Sequence, residues 1–422
     1  MISSLDDRDA VGHADATDEV AAWAASGAMA LTGWPDAAPL GPPEGLVPKL
    51  AAIGKVLDSH RCATRSGAAV DPLALLGERA ALGGLARQGA TSCGGATRLL
   101  RAQSGWLAVS LARPEDLELV PAWLELDAPP TDVWATVAAA VAARSTEDLV
   151  ARASLLGLPI GLVPVVSGVG SSPRPPLTRH AVPGPALPRR PIEGLVVVDL
   201  GALWAGPLCG SLLAAAGANV FKVESVTRPD GARSGPPAFF DLMNAGKRGV
   251  AVDLAHVDGV AALHRLLRAA DVVIETSRPR ALEQLGIDVM THLATSTTRV
   301  WATISGHGRE GDGRDRPAFG DDAAVAGGLV CWDGDRPVFC ADAIADPTSG
   351  MVAAAGILEA LATGGRWLLD VPMAAVAAHL AGPTLSVPAG VGAPVAPSAR
   401  RALGRGPSLG EHTAEVFAGL AG

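Results

Sequence analysis

Asp346 is the carboxylate whose setting says most about chemistry. It stands directly before Pro347 and an apolar stretch that reads as a helix over 347–362, which makes it the expected N-cap. Unpaired helical N–H groups and the helix dipole favour an ionised, oriented carboxylate there. Nucleophilic acyl transfer needs that form. Asp-Pro-Thr-Ser is also an ordinary helix start, and spacing alone favours that plainer role. A second set is basic. Arg228 and Arg233 follow one expected strand, Lys247 and Arg248 precede the next, and Arg278 and Arg280 follow a further one. In an open parallel sheet ligands bind beyond the strand ends, so these residues would converge as a cradle for several phosphates, with guanidinium groups acting bidentately. Each alone is equally a solvated loop charge. Gly94 and Gly95, in TSCGGATR, can offer backbone donors or simply turn the chain.

Other chemistries find little support. The nine histidines show no paired ligand spacing, and the five cysteines are odd in number and scattered. Neither a metal site nor a disulfide framework is expected, and a reducing cytoplasm fits best. There is no G-x-S-x-G elbow and no P-loop. A net charge of −9 and a pI near 5.5 speak against a general nucleic-acid role. The acidic N-terminus lacks the apolar core of a signal peptide, and no apolar run is long enough to suggest a membrane span.

The elements that must position these residues centre on Leu195–Glu224, LVVVDLGALWAGPLCGSLLAAAGANVFKVE. It reads as strand, glycine turn, helix with Pro207 at its first position, and second strand. This is half of a nucleotide-binding βαβ unit. The turn is not G-x-G-x-x-G, and Trp204 stands where a pyrophosphate would need the backbone, which argues against NAD. Strands and helices alternate through the rest of the region. The expected fold is α/β, a doubly wound, mostly parallel Rossmann-like sheet domain preceded by a smaller α+β domain. The boundaries are a flexible tail over 1–19, a helical segment over 20–66, the small domain over 67–170 and a proline-rich linker over 171–192. The α/β domain follows over 193–381, then a second proline-rich connection over 382–400 and a tail with a helix over 401–422.

Four blocks carry a family resemblance: VVVDLGALWAGPLCGSLLAAAGANVFKVE, NAGKRGVAVDL with DVVIETSRPRALEQLGID, ADPTSGMVAAAGILEAL, and GPSLGEHTAEVF. In order and spacing the chain resembles the class III CoA-transferases, which include formyl-CoA and carnitine CoA-transferases and the related α-methylacyl-CoA racemases. The resemblance implies Asp346 as nucleophile in a ping-pong reaction through an aspartyl anhydride and an aspartyl-CoA thioester. It implies that Trp204, Ala205, Gly206, Pro207, Thr276 and Ser277, with Arg228, Lys247, Arg248, Arg278 and Arg280, hold CoA, and that Gly94-Gly95 closes over the reacting aspartate. CoA or acyl-CoA is then a substrate beside a carboxylic acid, with no tightly bound cofactor, and a homodimer is implied.

The small domain, which normally follows the α/β unit in that family, here precedes it. The segment ASGAMALTGWPDAAPLGPPEGLVPKLAAIG resembles a degenerate second copy of the region around Asp346, with Glu44 near the aspartate position. The racemases use a His–Asp pair, and here AFGDDAAV puts Asp321 or Asp322 at the histidine's place, so transferase is favoured. A non-catalytic acyl-CoA-binding protein is the alternative from another class.

Overall fold

A computed structural model describes residues 15–60, 69–164, 174–184 and 186–420. The chain opens with helices α1 (Ala16–Ala25), α2 (Leu46–Ser59) and α3 (Glu78–Gly83). Hairpin β1 (Thr97–Ala102) and β2 (Gly105–Ser110) follows, then α4 (Pro114–Leu124), α5 (Val133–Ala142), α6 (Thr146–Leu156) and β3 (Ile160–Leu162). These strands form a three-stranded antiparallel sheet, in the order β1-β2-β3, covered by the three helices.

The large sheet begins with β4 (Thr178–Ala181), β5 (Val196–Asp199), α7 (Ala205–Ala215), β6 (Asn219–Ser225), α8 (Pro237–Asn244) and β7 (Arg248–Val252). It continues through α9 (Val257–Ala269), β8 (Val272–Glu275), α10 (Pro279–Gln284), α11 (Val289–Thr295) and β9 (Val300–Ser305). Then come α12 (Gly320–Ala326), hairpin β10 (Val330–Asp333) and β11 (Arg336–Phe339), α13 (Ala345–Thr363), β12 (Trp367–Pro372), α14 (Met373–Leu380) and α15 (Thr413–Gly419). The seven strands lie in the order β4-β12-β9-β8-β5-β6-β7, all parallel except β4. After β5 the chain winds one way to β6 and β7, and then returns to the other side of β5 for β8, β9 and β12. The doubly wound α/β expectation holds. The strand order reverses beside β5, so the loops after β5 and β8 flank the crevice where such sheets bind ligands.

Two expectations about the ends need correction. Asp15 caps α1 by accepting the Thr17 N–H at 3.1 Å, so helix begins inside the stretch read as tail; residues 1–14 and Cys62 lie outside the described residues. The linker 171–192 contains β4, which joins the sheet as its edge strand by pairing with β12 from Trp367↔Ala181 to Asp370↔Thr178. Its four residues fall between the prolines, and an edge position leaves one side of the strand without partners to satisfy.

The N-terminal helices do not stand apart. Trp23, Leu46, Leu50, Ile53, Leu57 and Leu76 share one apolar core with Ile344, Met351, Leu358, Val376 and Leu380. The second proline-rich connection straps them down. A Cβ on Gly27 would lie 2.5 Å from the Pro397 Cα, and Arg400 Nε donates to Glu78 at 2.6 Å. Among the described residues no helix is long and apolar enough to cross a membrane.

Candidate active site

The turn after β5 is held from inside. Asp199 accepts the Gly201 N–H at 2.9 Å, Thr276 Oγ1 the Ala202 N–H at 3.3 Å, and Asp230 the Leu203 N–H at 2.9 Å. Three successive donors of the kind that would cradle a pyrophosphate are therefore taken by side chains. The chain reverses between Gly201 and Gly206, where a Cβ on either would sit 2.7 Å from the other's Cα. Leu203 adopts the left-handed region at φ 64°. Helix α7 starts at Ala205, so Pro207 is its third residue rather than its first. Trp204, Ala205, Gly206 and Pro207 are all buried. What faces outward here is Leu203, 40% exposed.

Lys247 is the clearest departure from expectation. It is fully buried, and its ammonium donates to Asp199 at 2.7 Å, the Pro207 carbonyl at 2.8 Å and Asn244 Oδ1 at 3.1 Å. All three protons are used, so it holds α7 to the sheet instead of presenting charge to a ligand. Lys222 does the same one strand away, pairing with Asp230 at 2.7 Å and with the Gly201 carbonyl. Arg233 is tied to Glu224 and the Pro407 carbonyl and lies over Phe240. Arg248 stacks on Phe221, pairs with Glu415 at 3.5 Å, and lines a shallow cavity with Arg405, Glu411 and His412. The six basic residues therefore do not form one cradle, because Arg233 and Lys247 already serve carboxylates within the fold and Arg248 reaches the C-terminal tail.

Arg228, Arg278 and Arg280 remain at the crevice, beyond β6 and β8. The Arg278 guanidinium is held below its ordinary value by burial and by the like charges of Arg280, Arg113 and Arg228, with Asp315 acting the other way. Arg278 also reaches the small domain, its Nη1 3.9 Å from where a Cβ on Gly157 would stand. Under-compensated positive charge at a switch point suits an anion. Thr276 and Ser277 are half-buried at the same strand end.

Asp346 lies where α13 meets α7 and α12. Helix α13 begins at Ala345 with Ile344 as N-cap, so Asp346 is the second helical residue and not the cap. Its N–H donates to the Ala343 carbonyl at 2.9 Å. Two neighbours in the preceding loop, Ala341 at φ 54° and Ala343 at φ 42°, adopt the left-handed region that alanine disfavours, at a cost of order 1 kcal/mol each. They turn Asp342 and Asp346 toward the same space. The carboxylate of Asp346 sits over Gly320, where a Cβ would be 2.4 Å from Asp346 Oδ2 and 2.4 Å from the Ala343 carbonyl. Gly320→Ala is accordingly expected to displace the Asp346 side chain. Because the same methyl would also press on the Ala343 backbone carbonyl, the variant should lose about 1–3 kcal/mol of stability, measured by urea unfolding.

Asp346 has three acidic neighbours and one cation. Burial pushes its carboxyl up to about 7, Arg79 pulls it down, and Asp321, Asp322 and Asp342 push it further up. Burial likewise raises Asp321 to about 6 and Asp322 to about 7. The expectation of a carboxylate held ionised by the helix dipole is thus corrected, since desolvation exceeds what the helix start supplies. Asp321 accepts the Ala343 N–H at 3.1 Å. Asp322 bonds the Phe319 N–H and the Ser110 hydroxyl at 3.0 and 2.8 Å, joining α12 to the small domain.

Gly94 and Gly95 also reach this cluster. Gly95 turns at φ 80° and donates to the Ser92 carbonyl at 2.8 Å, while a Cβ on Gly94 would lie 3.4 Å from Arg79 Nη2. Glu44 is exposed and bonds through its backbone to Pro383. Gly45 takes the N-cap of α2, and the buried Glu19 carboxylate accepts the Gly45 N–H. Arg79 and Asp342 escape a motif-based reading. The only signal in the sequence is the Asp342–Asp346 spacing, since GERAALGG carries no pattern that singles out its arginine.

A family model for CoA-transferase family III matches residues 192–408, just over half of the chain, and the protein belongs to that family. It is 34% identical over 184 residues to succinyl-CoA–D-citramalate CoA-transferase of Chloroflexus aurantiacus, covering 41% of this chain and 46% of that one. It is 33% identical over 184 residues to (R)-2-hydroxy-4-methylpentanoate CoA-transferase of Clostridioides difficile, covering 40% and 46%. A solved CAIB/BAIF family protein from Brucella suis shares 28% identity over 45% of this chain and 55% of that one, with a TM-score of 0.41. The matched region spans a little under half of the curated relatives' length.

Proposed function

We propose that the protein is a CoA-transferase that moves CoA between an acyl-CoA and a free carboxylic acid, with Asp346 as the covalent nucleophile. The observation that carries this reading is the setting of Asp346, a carboxyl raised to about 7, placed over the Gly320 backbone and acted on by Arg79, against which Gly94 lies. An Asp346 oxygen adds to the thioester carbonyl, and the carbon–sulfur bond breaks to give an acyl-aspartyl anhydride and CoA thiolate. The thiolate then adds to the aspartyl carbon, releasing the donor acid and leaving an aspartyl-CoA thioester. The acceptor carboxylate repeats the two steps in reverse, so the new acyl-CoA departs and the aspartate returns. No water or redox partner enters the balance.

Arg228, Arg278 and Arg280 are assigned to the CoA phosphates, with Thr276, Ser277 and the exposed Leu203 beside them. The family resemblance supports a homodimer, and the odd, scattered cysteines suit a reducing compartment. The proton-shuttle alternative lacks support from the site, because the groups acting on Asp346 are one guanidinium and three carboxyls.

The test is trapping. Incubation with acyl-CoA and hydroxylamine should give a hydroxamate on Asp346, located by peptide mass spectrometry. A set of thioesters that bind but leave Asp346 unmodified would turn the reading toward a binding protein. Exchange of an α-hydrogen of a 2-methylacyl-CoA in heavy water would turn it toward a racemase.

A further inference from the structure

We infer that Arg79, which lies outside the family-matched region, is the positioning residue that brings Asp346 into its reactive ionised form. The inference rests on Asp346 being the nucleophile, but the contact set stands independently of that role. Arg79 is on α3, a helix of six residues, clamped on one side by the Glu78–Arg400 pair and on the other by Ala80 packed against Leu31 and Cys93. The guanidinium bonds Asp342 through Nε at 2.8 Å and through Nη2. Its carbon lies 5.6 Å from the centre of the Trp204 ring, and Gly94 leaves room above its two Nη atoms. The side chain is 32% exposed, so it opens on the cleft rather than being sealed in the core.

Arg79 thus touches the three pieces that must act together: the glycine loop, the turn before α7, and the acidic cluster. The charges facing Asp346 are Asp321 and Asp322 from α12, Asp342 from the preceding loop, and Arg79 from α3. Asp322 has further basic neighbours in Arg113 and Arg316. Asp321 and Asp346 share Arg79. A single cation among like charges decides which carboxyl ionises first. Because Asp342 holds the guanidinium in a two-point grip, Arg79 cannot swing away to follow a substrate. It acts as a fixed field on Asp346.

The decisive measurement is a pH titration by NMR of protein labelled with γ-carbon-13 aspartate, with Asp346→Asn used to assign the Asp346 signal. In the wild type the signal should titrate near pH 7. In Arg79→Met the midpoint should rise by about one unit or more, and Arg79→Lys, which restores the charge without the fork, should recover over half of that shift. Should Arg79→Met fail to fold because Asp342 is left alone, the double variant Arg79→Met/Asp342→Asn removes the orphan; because Asp342 itself raises Asp346, its midpoint is read against Asp342→Asn alone, over which the rise is expected to persist. A midpoint that stays within about 0.3 units of the wild type in the methionine variant, or of Asp342→Asn in the folded double variant, would overturn the inference. This readout needs no turnover. If trapping on Asp346 fails with every thioester while the midpoint still moves, the proposed function falls and the control of Asp346 by Arg79 stands. If trapping succeeds, its pH profile should move upward with the midpoint.

Discussion

Asp346→Asn is expected to stop CoA transfer and, at pH 8, to melt at a higher temperature than the wild type. Loss of transfer follows from removing the oxygen proposed as nucleophile; the gain in stability follows from linkage. A free aspartate ionises near pH 3.9, whereas burial and three acidic neighbours lift Asp346 to about 7 in the fold. Between those values the folded state holds a proton that the unfolded chain has released, so stability falls as pH rises from about 4 to 7 and stays reduced above. Three units correspond to about 4 kcal/mol at most; sharing among coupled carboxyls makes a gain on the order of 2 kcal/mol the reasonable expectation. For a chain of this length that is a shift of a few degrees. At pH 4, where both side chains are neutral, the two proteins should melt together. Differential scanning fluorimetry at both pH values reads this directly, and an asparagine variant that melts lower at pH 8 would show that the site stabilises the ionised form. Activity held at the expense of stability is an expected property of a charged, desolvated site.

Lys247→Met is expected to cost the fold about 3–5 kcal/mol, whereas Arg278→Glu with Arg280→Glu should leave stability nearly unchanged and weaken CoA binding at least tenfold. The contrast comes from what each cation touches. Methionine would leave Asp199 fully buried with no cation, beside Gly210, which already brings α7 so close that a Cβ there would be 2.7 Å from the Asp199 carboxylate. Arg278 and Arg280 instead serve no buried carboxylate among the described residues, and reversing both turns the repulsion of Arg278 from Arg113 and Arg228 into attraction. Urea unfolding with calorimetric CoA titration separates the outcomes. A stable Lys247→Met protein with lost CoA affinity would return that lysine to the ligand site.

Much of the large sheet was legible. Apolar runs of four to six residues, broken by glycine or aspartate, marked each central strand, and α9 occupies Val257–Ala269 as its periodicity indicates. What escaped was set by partners far away in sequence. Strand β4 exists because β12, nearly 190 residues later, presents an open edge. The β10–β11 hairpin did leave a trace, the two-residue Gly334-Asp335 loop with Gly334 at φ 63°, of the kind that favours tight reversal. It was hidden among neighbouring charges. At the site, Asp346 could be singled out, but its protonation could not, because Asp321, Asp342 and Arg79 gather round it only through tertiary packing. Lys247 and Arg278 look alike in sequence, and whether a basic residue finds a buried carboxylate is decided by strand register.

The shared core of the two chain ends also constrains the order in which the molecule can be made. Trp23, Leu46, Leu50 and Ile53 leave the ribosome about 300 to 350 residues ahead of Met351, Leu358 and Val376, the side chains that share their core. At roughly 5–20 residues per second that interval is on the order of tens of seconds, during which α1 and α2 can pack on each other but lack the α13 face that completes their core. The reverse also follows: residues 192–408 expressed alone would expose the face of α13 on which α2 rests, and that fragment is expected to be less soluble than the full chain.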